Sequence, residues 1–168
     1  NKLKKQKKEK SNGELVFCCA GQFSEYGVDK VKKLLKTIIN RYFDKKIKIQ
    51  LIGSNKEKNI WIDSFLKKES GNRAYLEILP KKSRQELYEI MVMADYGMSI
   101  LRDPLYEYGT KVYDYIALGL PIVNYFDEPN NFTNYFDACL DVPFNENTKT
   151  PEIRRKNLIE NALKDVDF

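Results

Sequence analysis

The residues of this sequence whose types and spacing could do chemistry together are Lys111 and Asp114, in the stretch TKVYDYIALGLPIV with Gly109 just before it. Side chains three positions apart on a helix share nearly the same face. Thr110 has the residue type of an N-cap, which predicts a helix beginning at Lys111 with unpaired backbone N–H groups around Gly109 to Val112 directed out of its start. A helix start favours anions, and a lysine in the first turn adds a full positive charge, so the stretch predicts a diphosphate cradle. Asp114 offers a carboxylate that accepts hydrogen bonds and cannot donate them, which suits two hydroxyls of a ribose. A lysine in a first helical turn also opposes the helix dipole, and that cost is a reason to read it as functional.

Composition narrows the chemistry further. There is no histidine among the 168 residues, which excludes Ser-His catalysis and imidazole-ligated metal within this chain. The three cysteines show no Cys-x-x-Cys spacing, and Cys18 and Cys19 lie inside an apolar run, so the expectation is a reduced, cytoplasmic chain with no metal and no cofactor. The net charge of +5 is local: residues 1–12 hold six Lys and one Glu, leaving 23 basic and 23 acidic side chains in the other 156 residues. A neutral body argues against a nucleic-acid partner, and the basic segment reads as a flexible leader or interdomain linker, or a tether to acidic lipid. No apolar stretch reaches the length of about 20 residues that spans a bilayer, so any membrane contact is expected to be peripheral.

The elements that must position Lys111 and Asp114 follow from periodicity. ELVFCCA (Glu14 to Ala20) has the content of a strand buried on both faces and stops at Gly21. Val31, Leu34, Leu35, Ile38, Ile39 and Tyr42 then form one apolar helical stripe. KIKIQLIG predicts a second strand ending at Gly53, NIWIDSFLKKESG a helix closed by Gly71, and YLEIL a third strand to Leu79. Ser83 and Glu86 have capping-box spacing, with Leu87, Tyr88, Ile90, Met91 and Ala94 as the buried face of the next helix. YGMSIL and PIVNYF predict strands four and five, and ACLDV a sixth. Thr150 and Pro151 suit the start of a last helix, with Ile153, Leu158, Ile159 and Leu163 inward. The class is therefore α/β, a doubly wound, Rossmann-like parallel sheet of about six strands with helices on both faces, formed by residues 13–168 as one domain. Ligands of such sheets bind at the carboxyl ends of the strands, here the loops Gly21 to Gly27, Gly53 to Asn55, Leu79 to Ser83 and Leu101 to Lys111.

TKVYDYIALGLPIV also resembles the lysine and Glu-Tyr-x-Ala-x-Gly-x-Pro segment of GT-B glycosyltransferases of family four. CAGQFSEYGVDKVKKLL is similar to that family's glycine loop and first helix, IQLIGSN to its second strand and Gly turn, and YLEILPKKSRQELYEIMVMADYGMSIL to the segment running from its base-binding loop. The resemblance covers residues 14–166. It implies that Asp114 takes the place of the glutamate that binds the ribose hydroxyls, and that Lys111 with the amides near Gly109 and Thr110 holds the diphosphate. Leu79, Pro80 and Lys81 would lie against the base. Gly21 would let the first loop approach the phosphates without a Cβ between them, with Gln22 beside it and Gly53 at the second turn.

This chain departs from the family at four positions. Asp114 is one methylene shorter than glutamate, Gln22 and Tyr26 stand where the family often carries cations, and Tyr106 stands at its first motif glutamate with Glu107 one place away. The implied activity is transfer of a sugar from a nucleotide-diphosphate donor with retention, and the Lys- and Asn-rich composition suits bacterial surface polysaccharide synthesis. Lys111 would stabilise the departing diphosphate, and Glu107 would be the second catalytic candidate. The partners implied are the donor and an N-terminal acceptor domain of a longer enzyme, so this portion alone would be inactive. A nucleotide-sugar epimerase, a phosphorylase and a non-catalytic nucleotide-binding or interaction domain are the alternatives. A dinucleotide dehydrogenase is disfavoured, because GQFSEYG lacks Gly-x-Gly-x-x-Gly. The aromatics between Tyr125 and Asp137 are expected to wrap core and loop.

Overall fold

A computed structural model of the chain describes residues 13–126 and 130–136. Its centre is β1 (Glu14–Ala20), which is central because both of its faces are apolar. Phe17 and Cys19 enter one core, while Cys18 and Ala20 enter the other. β1 pairs in parallel with β2 (Lys46–Ile52) along its whole length, from Glu14 opposite Lys46 to Ala20 opposite Ile52. β2 pairs in turn with β3 (Ala74–Leu79). On the other side β1 meets the short β4 (Tyr96–Met98), and β4 meets β5 (Ile122–Val123). The order is β3-β2-β1-β4-β5, all parallel, with five strands among the described residues.

Helices cover both faces. α1 (Val28–Arg41) lays Val31, Leu34, Leu35, Ile38 and Ile39 on the Phe17 side, as its periodicity predicts, and Ile62 and Leu66 join them there. The helix expected over NIWIDSFLKKESG forms as α3 (Trp61–Ser70), and a separate short turn, α2 (Lys56–Asn59), precedes it. Asn55 caps α2 by accepting from the Lys58 N–H at 2.9 Å, and α3 begins after Ile60 and ends at Gly71. The opposite face carries α4 (Arg84–Met93), α5 (Lys111–Ala117) and α6 (Asn131–Phe136), whose Met91, Tyr115 and Phe132 pack on Cys18 and Ala20.

Strands four and five are shorter than YGMSIL and PIVNYF suggest. Beyond Met98 one further ladder bond forms, from the Ser99 N–H to the Val123 carbonyl at 2.9 Å, before β4 opens into the loop leading to α5. Ala94, expected on the buried face of α4, sits just past its end in extended conformation and is still buried. The leader at residues 1–12, the sixth strand expected at Ala138 to Val142 and the helix expected from Thr150 lie outside the described residues.

The α4 capping box forms as its spacing requires. Ser83 Oγ accepts from the Glu86 N–H at 3.3 Å, and Glu86 Oε2 accepts from the Ser83 N–H at 3.0 Å. Hydrogen bonds from Ser83, with Lys82 nearby, hold the Glu86 carboxyl below its ordinary range. Ser83→Ala is expected to cost about 1 kcal/mol in urea unfolding at neutral pH. Because a depressed carboxyl stabilises only while ionised, the gap between wild type and variant should narrow as pH falls through the lowered Glu86 pKa.

Candidate functional site

The carboxyl ends of β1, β2 and β4, the residues after β3 and the start of α5 converge on two adjoining hollows. Their common wall is Ala20, Gly21, Thr110 and Lys111. The larger, about 680 Å³, extends from that wall past Gly53, Lys81, Lys82, Arg84, Leu87 and Tyr88 to Asp114. The smaller, about 260 Å³, runs past Gln22, Tyr26, Ser99, Glu107 and Gly109 towards the ring of Tyr115. Lys111 faces both.

Gly21 turns the chain at the carboxyl end of β1 with φ of +87°, a region that side chains with a Cβ rarely enter. Its N–H donates to the Ile52 carbonyl at 2.9 Å, tying the first loop to the end of β2. A Cβ built there would meet no atom within 4 Å, so the glycine answers to backbone conformation and also leaves the shared wall open.

Asp114 is held from two sides in the larger hollow. Tyr88 donates its O–H to Asp114 Oδ1 at 2.6 Å, and Lys111 Nζ lies 3.7 Å from Asp114 Oδ2. Arg84 donates to the Tyr88 oxygen from Nε at 3.0 Å and from Nη2 at 2.9 Å. A continuous polar chain, Arg84 to Tyr88 to Asp114 to Lys111, thus joins α4 to α5 across the hollow. Tyr88 was expected among the buried residues of α4. Its ring does pack on the core beneath α4 while its hydroxyl reaches into the hollow, as an amphipathic phenol at the edge of an apolar face can do.

Thr110 does not cap α5 as its residue type suggests. It is already in helical conformation, at φ −63° and ψ −27°, and its side chain makes no capping bond. The first turn is closed instead by the Val112 N–H donating to the Gly109 carbonyl at 3.2 Å, one residue earlier than expected. In the LPKK segment, Leu79 packs against the core and its carbonyl accepts from the Gly53 N–H at 2.9 Å, while Pro80 is exposed. Neither lines a hollow; Lys81 and Lys82 do.

Glu107, not Tyr106, reaches the smaller hollow, and Tyr106 is 82% exposed. Arg102 holds the Glu107 carboxylate, with Nε 3.4 Å from Oε1 and the backbone N–H donating to Oε2 at 3.3 Å. The Arg102 guanidinium also lies 5.6 Å from the centre of the Tyr26 ring. Their loop is anchored from below: Lys30 Nζ donates to the Leu101 carbonyl at 2.9 Å and to that of Arg102, and the Tyr125 hydroxyl donates to Leu101 O at 2.6 Å. Burial, with Asp103 and Glu107 adding to it, pushes the Tyr125 phenol up to about 12, so it stays a donor at neutral pH. Burial likewise pushes the Cys19 thiol up to about 12, which makes it a hydrophobic wall and not a nucleophile. The sequence does not mark Arg84, Tyr88, Lys82 or Arg102 as site residues; the Arg84 and Tyr88 spacing of four on one helix is the signal that points to that pair.

No protein-family model matches the sequence, and no curated protein matches it. Solved structures do match. An O-GlcNAc transferase variant from Thermobaculum terrenum aligns with a TM-score of 0.54 at 16% identity, over 90% of this chain and 29% of its own. WaaG, a glycosyltransferase involved in lipopolysaccharide biosynthesis, aligns with a TM-score of 0.47 at 20% identity, over 97% and 43% respectively. A UDP-GlcNAc 2-epimerase from Neisseria meningitidis, solved bound to UDP-GlcNAc, aligns with a TM-score of 0.48 at 11% identity, over 96% and 39%. The fold is Rossmann-like, an all-parallel sheet flanked by helices that matches these GT-B neighbours. The chain spans less than half the length of each of these proteins. Among the described residues, no helix is long and apolar enough to cross a membrane.

Proposed function

We propose that this chain is the donor-binding domain of a GT-B glycosyltransferase resembling family four, the C-terminal part of a longer enzyme that transfers a sugar from a nucleotide-diphosphate donor. The observation that carries the reading is the placing of Lys111 and Asp114, 3.7 Å apart, with Lys111 on the wall common to both hollows and Asp114 in the larger. A ligand with a nucleoside at one end, a diphosphate in the middle and a sugar at the other matches that order. The nucleoside occupies the larger hollow with its ribose on Asp114, the diphosphate crosses Gly21 and Lys111, and the sugar enters the smaller hollow beside Gln22 and Glu107.

Departure of the nucleoside diphosphate builds negative charge on the β-phosphate, and a fixed ammonium there stabilises the transition state more than the ground state. In this reading the chain's own cations meet that charge without a metal, and transfer is retaining. An N-terminal domain brings the acceptor, residues 1–12 link to it or rest on an acidic membrane surface, and the work is done on the cytoplasmic side in bacterial surface-glycan synthesis. This portion alone then binds donor without transferring sugar.

Calorimetric titration of the chain with UDP, GDP, dTDP and ADP tests the reading. Saturable binding of one of them is expected, weakened roughly tenfold in Asp114→Asn through loss of a charge-assisted hydrogen bond. Absence of binding to all four would overturn it, as would robust sugar transfer by the isolated chain.

A further inference from the structure

Resting on that reading, we propose that Tyr88 is a positioning residue for the donor nucleotide: its hydroxyl, held between Arg84 and Asp114, fixes the carboxylate on which the ribose hydroxyls dock. The argument begins with hydrogen-bonding capacity. A phenol oxygen has one O–H to donate and two lone pairs to accept with. In Tyr88 the O–H is donated to Asp114 Oδ1 at 2.6 Å, and Arg84 Nε and Nη2 occupy the lone pairs at 3.0 and 2.9 Å. The hydroxyl is saturated. It has nothing left for a ligand and acts through Asp114.

Asp114 keeps capacity in reserve. A carboxylate offers about four acceptor sites, of which Tyr88 takes one. Lys111 Nζ, 3.7 Å from Oδ2, is close enough for charge attraction but too far for a hydrogen bond. Two neighbouring hydroxyls can therefore be accepted without breaking any contact already made. The orientation of the acceptors is the difficulty, because the last torsion of an aspartate is broad and does not by itself fix the carboxylate plane. α5, which carries Asp114, is only seven residues long, so its own turns give little support. Tyr88 supplies the missing constraint from a second helix, α4, whose start is fixed by the Ser83 and Glu86 capping box. Arg84, one residue beyond Ser83, sets the hydroxyl in turn.

Tyr88→Phe removes the oxygen and leaves the ring in its place in the core, so the variant is expected to fold. Titrations of wild type and variant would use UDP, GDP, dTDP and ADP, their 2′,3′-dideoxy forms, and inorganic pyrophosphate. For the nucleotide that binds, the loss in Tyr88→Phe is expected to be fivefold to tenfold. For its dideoxy form and for pyrophosphate the loss should stay within twofold, because no ribose hydroxyl is there to be oriented. Arg84→Met should move the ribose contact in the same direction by a smaller factor. If wild type binds a nucleotide and Tyr88→Phe binds it equally well, or loses the same factor with the dideoxy form, Tyr88 only closes α4 onto α5 and the inference is overturned while the donor-binding reading stands. If wild type binds none of the nucleotides, that reading fails and the inference fails with it.

Discussion

Gly97→Ala is expected to destabilise the chain by about 3 kcal/mol, at the upper end of what overpacking costs in a filled core. A Cβ at position 97 would lie 2.5 Å from Tyr115 Cγ and 2.6 Å from both Cδ atoms of its ring. Neither partner can give way. Tyr115 is fully buried and donates its O–H to the Met98 carbonyl at 3.1 Å, so the ring is fixed at its far end. Gly97 is fixed as well, because β4 is paired on both sides there, with Cys18 of β1 and Ile122 of β5. For a chain of this size about 3 kcal/mol corresponds to a fall in Tm of roughly 6–12 °C.

The same clash bears on the site, since Tyr115 seats α5 on the sheet one residue after Asp114 and lines the smaller hollow. A displaced ring shifts the helix that carries Lys111 and Asp114, so nucleotide affinity should fall in step with stability. Tyr115→Leu, which removes the ring, should recover part of the loss in the Gly97→Ala background; that compensation separates a local clash from a general effect on the strand. A change of less than 0.5 kcal/mol in Gly97→Ala would show that the contact is softer than its geometry implies.

Gly97 was not legible in the sequence as a packing position, and the reason is general to this fold. Patterns of period two and 3.6 report which residues share a face, and here they marked β1 as buried on both faces and the α1 stripe as core. The glycines after β1 and β2 marked where those strands stop. Contacts between elements far apart in sequence leave no periodic trace. Tyr88 meets Asp114 across 26 residues and Lys30 meets Leu101 across 71, and no local spacing could announce either. Residue type misleads where geometry intervenes, as at Thr110, whose own backbone is already helical and so cannot cap. Glu107 facing the hollow in place of Tyr106 is likewise a matter of loop register, fixed by Arg102 and by the Lys30 anchor beneath it. Side chains at the margin of an apolar face are the remaining case: the helical pattern of α4 gave the Tyr88 ring its place in the core but was silent on where its hydroxyl would point.

Lys111→Ala is expected to weaken nucleoside-diphosphate binding by roughly 30- to 100-fold, the loss of a charged hydrogen bond worth about 2–3 kcal/mol. Lys81, Lys82 and Arg84 line only the larger hollow, so among the described residues Lys111 is the cation common to both. No neighbour can replace it at the junction where a diphosphate would cross. Its contribution to folding is small by comparison, because its side chain is 44% exposed and its ion pair with Asp114 is at the surface. Tm should therefore move by no more than a degree or two while affinity collapses, which separates a binding role from a structural one. Asp114 stays held by Tyr88 in the variant, so a ribose docked there as proposed would keep its contact. The loss should accordingly be large for inorganic pyrophosphate and the nucleoside diphosphate, and much smaller for the nucleoside alone. Lys111→Arg keeps the charge and should recover most of the affinity, with a shortfall from its different shape. If the chain serves a longer glycosyltransferase as proposed, kcat of that enzyme should fall further than affinity does, since the charge on the leaving phosphate is greatest in the transition state. Equal binding of pyrophosphate by wild type and Lys111→Ala would remove the diphosphate from this junction, and with it the order of nucleoside, diphosphate and sugar across the two hollows.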